Sequence, residues 1–84
     1  MFTVYVLYSR QYNKIYIGYS SDLQTRFKYH NEIAKKGWTI RYRPWEIAHK
    51  ELFETKEQAL KREKQLKSAA GRRFIWNEII PKIK

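Results

Sequence analysis

Apolar residues fill two short runs near the start of the chain, at residues 2–8 and 15–19. Both runs are rich in β-branched and aromatic residues on both faces, which is typical of strands that are covered on both sides. The segment between them is short and polar, so the two strands are predicted to form an antiparallel hairpin. If the hairpin closes near residues 10–11, Tyr5 and Tyr16 become direct neighbours across it.

A capping-box pattern follows, in which Ser21 precedes a glutamine by three residues. Such a pair satisfies two free backbone N–H groups at a helix start, so the pattern predicts a helix here. Leu23 and Phe27 give this helix an apolar stripe, and it is expected to run to about residue 35, ahead of Gly37.

Residues 38–44 form a basic, aromatic segment that is predicted to be a loop. Residues 45–53 are predicted to form a third strand. A second capping-box pattern begins at Thr55 and opens a predicted helix over residues 56–69. The spacing of its apolar residues predicts which of them face inward: Ala59, Leu60 and Leu66.

Gly71 is predicted to break that helix, and a third helix is predicted from about residue 72 until Pro81 ends it. The elements therefore run in the order β-β-α-β-α-α. This order predicts an α/β fold in which a central three-stranded sheet is flanked by helices. At 84 residues, the chain is expected to form a single domain, residues 1–84.

The charge of the chain changes what this small domain is expected to bind. It carries 18 basic and 8 acidic residues, a formal net charge of +10. A polyanion is the natural partner of such a surface, and nucleic acid is the first candidate. The alternative is that the charge serves solubility alone.

Composition also excludes several classes of site. There are no cysteines, which removes disulfides, thiolate zinc sites and cysteine nucleophiles. The first residues lack the basic and small-residue features of an export signal, and no apolar run approaches the roughly 20 residues that span a bilayer. A cytoplasmic location without a membrane partner is expected.

Glu63 breaks the pattern of the second predicted helix. It lies four residues after Ala59 and three before Leu66, so its carboxylate falls in the apolar stripe. A charged group in that position requires a partner or a metal, because burying it alone is costly. The alternative is a glutamate at the edge of the stripe that reaches water or pairs with a lysine.

Arg26 and His30 lie one helical turn apart on the same flank of the first helix. An arginine placed there can clamp a phosphate through two hydrogen bonds, and a histidine can transfer a proton. Each residue alone is also compatible with an ordinary half-exposed helix face, so the pair is more informative than either member.

Six segments resemble the GIY-YIG nucleases, and within them a group of small single-domain bacterial proteins. The second signature tripeptide is intact at residues 16–18, whereas the first is degraded to Thr-Val-Tyr at residues 3–5, which keeps its tyrosine. Residues 22–31 are similar to the family's helix with its arginine and the histidine one turn later. Residues 59–63 are similar to its metal-binding segment, and residues 43–45 and 53–56 also match this group.

The resemblance implies a metal-dependent endonuclease with one Mg²⁺ or Mn²⁺ bound by Glu63 and waters. Tyr5, with Tyr16, would activate the attacking water, and Arg26 would offset charge on the phosphoryl oxygens. His30 would assist or orient this group. A tyrosine base also requires nearby positive charge at neutral pH, from the cation, Arg26 and Lys14. A two-metal mechanism is not expected, since only one carboxylate is suitably located.

Nucleic-acid binding, to DNA rather than RNA, is expected to use basic residues in two stretches, with nearby aromatic residues available to stack on bases. A solvated basic face is the alternative for each stretch. A protein partner could supply specificity that so small a chain lacks. The predicted binding residues are Lys14, Arg41, Arg43, Lys61, Arg62, Lys64, Lys67, Arg72 and Arg73.

Two other classes of protein stay open on the sequence. One is a degraded nuclease scaffold that binds nucleic acid without cutting it, which would agree with the altered first tripeptide. The other is a structural protein of a ribonucleoprotein particle, which would explain the charge but not the position of Glu63.

Overall fold

The computed structural model describes residues 1–84, and its centre is strand β1, Phe2–Ser9. Strand β2, Lys14–Ser20, and strand β3, Glu46–Phe53, pair with β1 on either side, and both pairings are antiparallel. β1 is buried along almost its whole length because helical segments cover both faces of the sheet. The predicted hairpin and α/β class are confirmed.

The register of the hairpin differs from the predicted one. Tyr5 faces Gly18 across the ladder, and Tyr16 faces Leu7. The turn extends further along the chain because Asn13 adopts a left-handed conformation, with φ of 55°, which asparagine tolerates better than most residues. The prediction that Tyr5 and Tyr16 are directly opposed is therefore wrong. They are diagonal neighbours on the same face, with ring centroids 6.4 Å apart.

Helix α1, Leu23–Lys28, starts one residue later than predicted because Asp22, and not Ser21, is its N-cap. The Asp22 carboxylate accepts hydrogen bonds from the backbone N–H and the hydroxyl of Thr25. The helix continues as a π-helical turn, Tyr29–Ile33. It ends there rather than at residue 35, since Ala34 is extended with ψ of 136°.

The segment predicted as a loop at residues 38–44 contains a 3₁₀ helix, Trp38–Tyr42. Gly37 precedes it at φ of 112°, a conformation that side chains rarely adopt. Asn31 fixes the far end of the segment, because its side chain donates to the carbonyl of Trp45 and accepts from the N–H of Trp45. The 3₁₀ helix and α1 together cover the face of the sheet that carries Tyr5.

Helix α2, Lys56–Lys67, covers the opposite face, and the capping box predicted at Thr55 is confirmed. Ala59 and Leu66 are buried as predicted. Leu60 is exposed, contrary to the prediction, because the buried stripe follows Ala59 and Leu66 and the next residue along the helix falls beside it.

The break after α2 occurs at Ser68 and not at Gly71. Ser68 is extended, and its hydroxyl accepts from the N–H of Gly71, which makes it the N-cap of helix α3, Ala69–Phe74. A π-helical turn, Ile75–Ile79, then leads into helix α4, Ile80–Ile83. Pro81 does not end the helical region, because it lies in the first turn of α4, where a missing N–H is tolerated. No helix is both long and apolar enough to cross a membrane.

Gly71→Ala is expected to destabilise the protein by roughly 2–3 kcal/mol, although alanine normally favours a helix over glycine. A Cβ at this position would lie 2.1 Å from the Gln65 carbonyl oxygen and 2.5 Å from the Cα of Leu66, and these backbone atoms cannot move independently. Urea unfolding measures the change. Ala70→Gly, one residue away, is the control and should cost at most about 1 kcal/mol. A Gly71→Ala protein of unchanged or higher stability would contradict the tight α2–α3 contact.

Candidate active site

The Tyr5 side chain lies directly over Gly18, its partner across the β1–β2 ladder. A Cβ added at Gly18 would be 2.6 Å from the Tyr5 hydroxyl and 3.2 Å from the Tyr16 ring. Only glycine leaves room for the Tyr5 ring in this position. The last residue of the intact tripeptide at residues 16–18 therefore has a steric role. Thr3, in the altered tripeptide, fits into regular pairing with β2 and β3.

His30 lies beneath these two tyrosines. It is only 4% exposed, and its ring centroid is 4.7 Å from that of Tyr16. Its Nε2 is 3.4 Å from the Tyr5 hydroxyl oxygen, and its Nδ1 is 3.2 Å from the hydroxyl oxygen of Thr39. The π-helical turn that contains His30 is held by Arg43, whose guanidinium donates to the carbonyls of His30 and Ala34.

Burial lowers the pKa of His30, and the positive charges of Arg26 and Arg43 lower it further. The imidazole is therefore neutral at pH 7, with one ring nitrogen free to accept a proton. Its two nitrogens face two hydroxyl groups, so the imidazole connects Tyr5 to Thr39.

The pKa of Tyr5 moves in the opposite direction. Burial, followed by the neighbouring Tyr16, raises it to about 12, and Glu63 adds to the rise. Arg26 lowers the pKa through a hydrogen bond and its charge, but by less than burial raises it. At neutral pH the Tyr5 hydroxyl is protonated. Residues from α1, β2 and α2 all act on this one hydroxyl group.

Glu63 approaches Tyr5 from α2. Its side chain is 17% exposed, and its Oε2 lies 3.5 Å from the Nζ of Lys67. The carboxylate is thus at the edge of the apolar stripe next to a lysine, as the alternative for Glu63 anticipated. It is also within electrostatic range of the Tyr5 hydroxyl. Glu63 therefore has a lysine partner on one side and the Tyr5 hydroxyl within electrostatic range.

The side chains available to bind a metal at this site suit a cation that keeps most of its water ligands. No group of three or more His, Cys, Asp or Glu side chains is placed to share a metal ion. Glu63 offers a hard carboxylate oxygen, and its contact with Lys67 is longer than a strong charged hydrogen bond. Mg²⁺ and Mn²⁺ accept such sparse protein ligation, so the residues fit either ion.

Six of the nine predicted binding residues lie on two surfaces. Lys14, Lys67 and Arg72 line a groove of about 500 Å³ along strand β2, next to Tyr16. We call it the β2 groove. A second depression lies at the bend between α2 and α3 and contains Lys61, Arg62 and Lys64.

The other predicted basic residues are placed differently. Arg73 is exposed on α3, and Arg41 is exposed with its guanidinium 5.8 Å from the centre of the Tyr42 ring. Arg43 is engaged inside the fold by the two carbonyls described above. Arg62 is half-buried and donates to both carboxylate oxygens of Glu51. With the Lys67–Glu63 contact and the hydrogen bond from Arg72 to the Lys67 carbonyl, four of the nine predicted binding residues have polar partners within the protein.

Sequence reasoning missed several residues around the site. Thr39 contacts His30 through its side chain and accepts the indole N–H of Trp45 at its carbonyl. Trp76 forms part of the β2 groove. Thr39 lies in a basic, aromatic segment with no motif of its own, so no local signal marked it. Trp76 lies among other apolar residues of the last predicted helix, so its type and position gave no separate signal.

Comparison with known proteins gives related sequences for most of the chain. Residues 1–78 match the family model described as the GIY-YIG catalytic domain. A UPF0213 protein of Bacillus velezensis is 44% identical over 55 residues, which cover 66% of this chain and 56% of the relative. UPF0213 proteins of Staphylococcus saprophyticus and Staphylococcus aureus are 37% identical over 54 residues, 64% of this chain and 66% of each relative. The chain thus spans less than two thirds of their length. No solved structure matches significantly.

Proposed function

The chain belongs to the GIY-YIG catalytic-domain family, a branch of the nuclease superfamily, and on this basis we propose that it is a metal-dependent endonuclease that hydrolyses phosphodiester bonds in DNA. One observation carries the proposal. A buried tyrosine hydroxyl, Tyr5, is surrounded by a neutral histidine, a second tyrosine, an arginine and a carboxylate from four other segments of the chain. A buried cluster of titratable side chains in which the pKa values of Tyr5 and His30 are shifted is typical of catalytic sites.

Arg26 is the group proposed to bind the scissile phosphate. Its guanidinium is exposed, rests on the Tyr29 ring at 5.1 Å, and acts on the Tyr5 hydroxyl. An arginine in this position can donate two hydrogen bonds to phosphoryl oxygens and offset the charge that develops on them. Stacking on Tyr29 restricts its movement, which favours a fixed phosphate position.

Tyr5 and His30 are proposed to remove the proton from the attacking water. Because the pKa of Tyr5 is about 12, its phenolate is scarce at neutral pH in the free protein. In the proposed step, the water gives a proton to Tyr5 while Tyr5 passes its own proton to Nε2 of His30. Tyr5 stays neutral and His30 becomes the cation. The step requires the tautomer of His30 with its proton on Nδ1, and the Thr39 hydroxyl oxygen, 3.2 Å away, is placed to accept that proton.

Glu63 is the residue proposed to hold Mg²⁺ or Mn²⁺. When bound, the cation supplies positive charge at the scissile phosphate and the leaving oxygen. Glu63 also raises the pKa of Tyr5 in the free protein, so neutralising its charge favours loss of the Tyr5 proton. Exposed basic residues around the site are proposed to bind the DNA backbone, and a protein partner is proposed to add specificity.

Cleavage of labelled single-stranded, duplex, flapped and branched DNA and RNA tests this function. We expect cleavage of DNA with Mg²⁺ or Mn²⁺, complete loss on addition of EDTA, and recovery with excess metal. The dependence follows from the need to neutralise charge at the phosphate. Cleavage that persists in EDTA would contradict the metal requirement. Salt-sensitive binding with no cleavage of any substrate would instead indicate a non-catalytic binding module.

A further inference from the structure

The β2 groove is open at the edge of the sheet, because β2 pairs only with β1. Its floor is the strand around Tyr16, and two indoles line it from different parts of the chain, Trp38 of the 3₁₀ helix and Trp76 of the C-terminal helical region. Tyr16 also contacts His30 in the candidate active site. A ligand in the groove is therefore next to the catalytic group.

An unbroken series of aromatic contacts leads outward from Tyr16. The ring centroids of Tyr16 and Trp45 are 6.5 Å apart, those of Trp45 and Trp38 are 5.8 Å apart, and those of Trp38 and Tyr42 are 4.8 Å apart. Tyr12, on the hairpin turn, continues the series 5.6 Å from Tyr42. Trp38 and Tyr12 are 45% and 44% exposed. The inner rings of the series pack in the core around Trp45, whereas Trp38 and Tyr12 present flat apolar surface to solvent.

The charged residues that line the β2 groove are all basic. Lys14 lies 5.6 Å from the centre of the Tyr42 ring, and Lys67 and Arg72 line the groove itself. No acidic residue lines it. Cations at the margins of exposed aromatic rings suit a ligand that alternates phosphates with flat π systems, which describes a nucleic-acid strand.

Base pairing decides which form of nucleic acid can use these rings. In a duplex the flat faces of the bases are stacked on one another, and only their edges are accessible in the grooves. An unpaired base exposes the face that an indole or phenol can stack against. The rings that line the β2 groove, those of Tyr16, Trp38 and Trp76, offer such stacking surface.

We propose that the β2 groove and the aromatic series bind unpaired nucleotides, so that the preferred substrate has a single-stranded segment leaving the catalytic group past Trp38. The location of the cut relative to that segment rests on the proposed function, whereas the binding does not. The depression at the α2–α3 bend has basic residues but only one aromatic side chain, Phe74, and suits a duplex backbone.

Trp38→Ala is expected to weaken binding of single-stranded oligothymidine about tenfold, with less than a twofold effect on a duplex of equal length. Fluorescence anisotropy measures both affinities in EDTA with the Glu63→Gln background, so that no strand is cut. Phe74→Ala is the matched control, since Phe74 is 40% exposed but lies at the α2–α3 bend. Tyr12→Ala, on the hairpin turn, should also weaken single-strand binding without disturbing the core.

Salt titration separates stacking from charge. Lys14→Gln should reduce the slope of log affinity against log salt by about 1, whereas Trp38→Ala should leave the slope unchanged. Equal losses for Trp38→Ala and Phe74→Ala, or equal losses on duplex and single strand, would overturn the proposal. Oligouridine of the same length shows whether a DNA or an RNA strand fits better, and a selective Trp38 effect on either supports the proposal. Selective single-strand binding by a protein that cleaves nothing would refute the proposed function alone.

Discussion

Glu63→Gln is expected to slow phosphodiester cleavage by roughly a thousandfold while leaving the fold intact. The substitution keeps the size of the side chain and removes the negative charge proposed to hold the cation. No group of three or more His, Cys, Asp or Glu side chains is placed to hold the cation in its stead. Single-turnover rate constants with Mg²⁺ measure the loss, and excess Mn²⁺ should restore little of it.

Glu57→Gln is the control, because Glu57 is exposed in the first turn of the same helix. Its cleavage rate should stay within about twofold of wild type, since no binding or proton transfer involves it. The thermal stability of Glu63→Gln should change little, as its ion pair with Lys67 is partly exposed. Equal rates for Glu63→Gln and wild type would remove Glu63 from the proposed mechanism.

Tyr5→Phe is expected to reduce the cleavage rate by a factor of about 10²–10⁴, the range lost with a general base. Phenylalanine keeps the ring over Gly18 and removes only the hydroxyl that faces Nε2 of His30. Binding of DNA in EDTA should not change. Tyr19→Phe, on the neighbouring strand β2, is the control, because Tyr19 packs against the other face of the sheet.

The raised pKa of Tyr5 gives a second measurement that does not depend on activity. A tyrosine with a folded pKa of about 12 and an unfolded pKa of 10.0 stabilises the fold fully below pH 10, and this stability is lost as the pH rises from 10 to 12. The stability of Tyr5→Phe should therefore fall less between pH 9 and 11 than that of wild type. In addition, Glu63→Gln should lower the pKa of Tyr5 in absorbance titrations, since Glu63 raises it. No change in either measurement would place the Tyr5 hydroxyl in an ordinary solvent-exposed environment.

The elements that could be predicted from the sequence are those defined by local periodicity and capping. The three strands and the capping box at Thr55 follow from side chains within a few residues of one another. The hairpin register could not be predicted, because it depends on the conformation of Asn13 in the turn. The sequence predicts the helix break at Gly71, because glycine commonly ends helices, whereas the structure has the break at Ser68. The role of Gly71 is instead to allow close packing against the Gln65 carbonyl, which is set only when the helices pack.

The candidate site was predictable to a different extent. Glu63 was conspicuous because a carboxylate interrupted an apolar stripe, and the resemblance to a known family then linked it with Tyr5 and His30. Neither the sequence pattern nor the family resemblance indicated Thr39. This residue lies in the 3₁₀ helix, nine residues after His30 in the chain, and its hydroxyl contacts the His30 ring. Its contribution is tertiary, and a threonine next to a tryptophan carries no sequence signal for it.

The order in which the site residues occur along the chain affects biosynthesis. The tyrosines, Arg26 and His30 are in the first half, whereas Glu63 is on α2, which follows all three strands. Chains emerge from the ribosome N-terminus first, at about 5–20 residues per second. During those seconds the nascent chain exposes basic and aromatic groups beside ribosomal and messenger RNA without the carboxylate that cleavage is proposed to require. On the proposed mechanism, cleavage therefore waits until α2, which carries Glu63, has been synthesised.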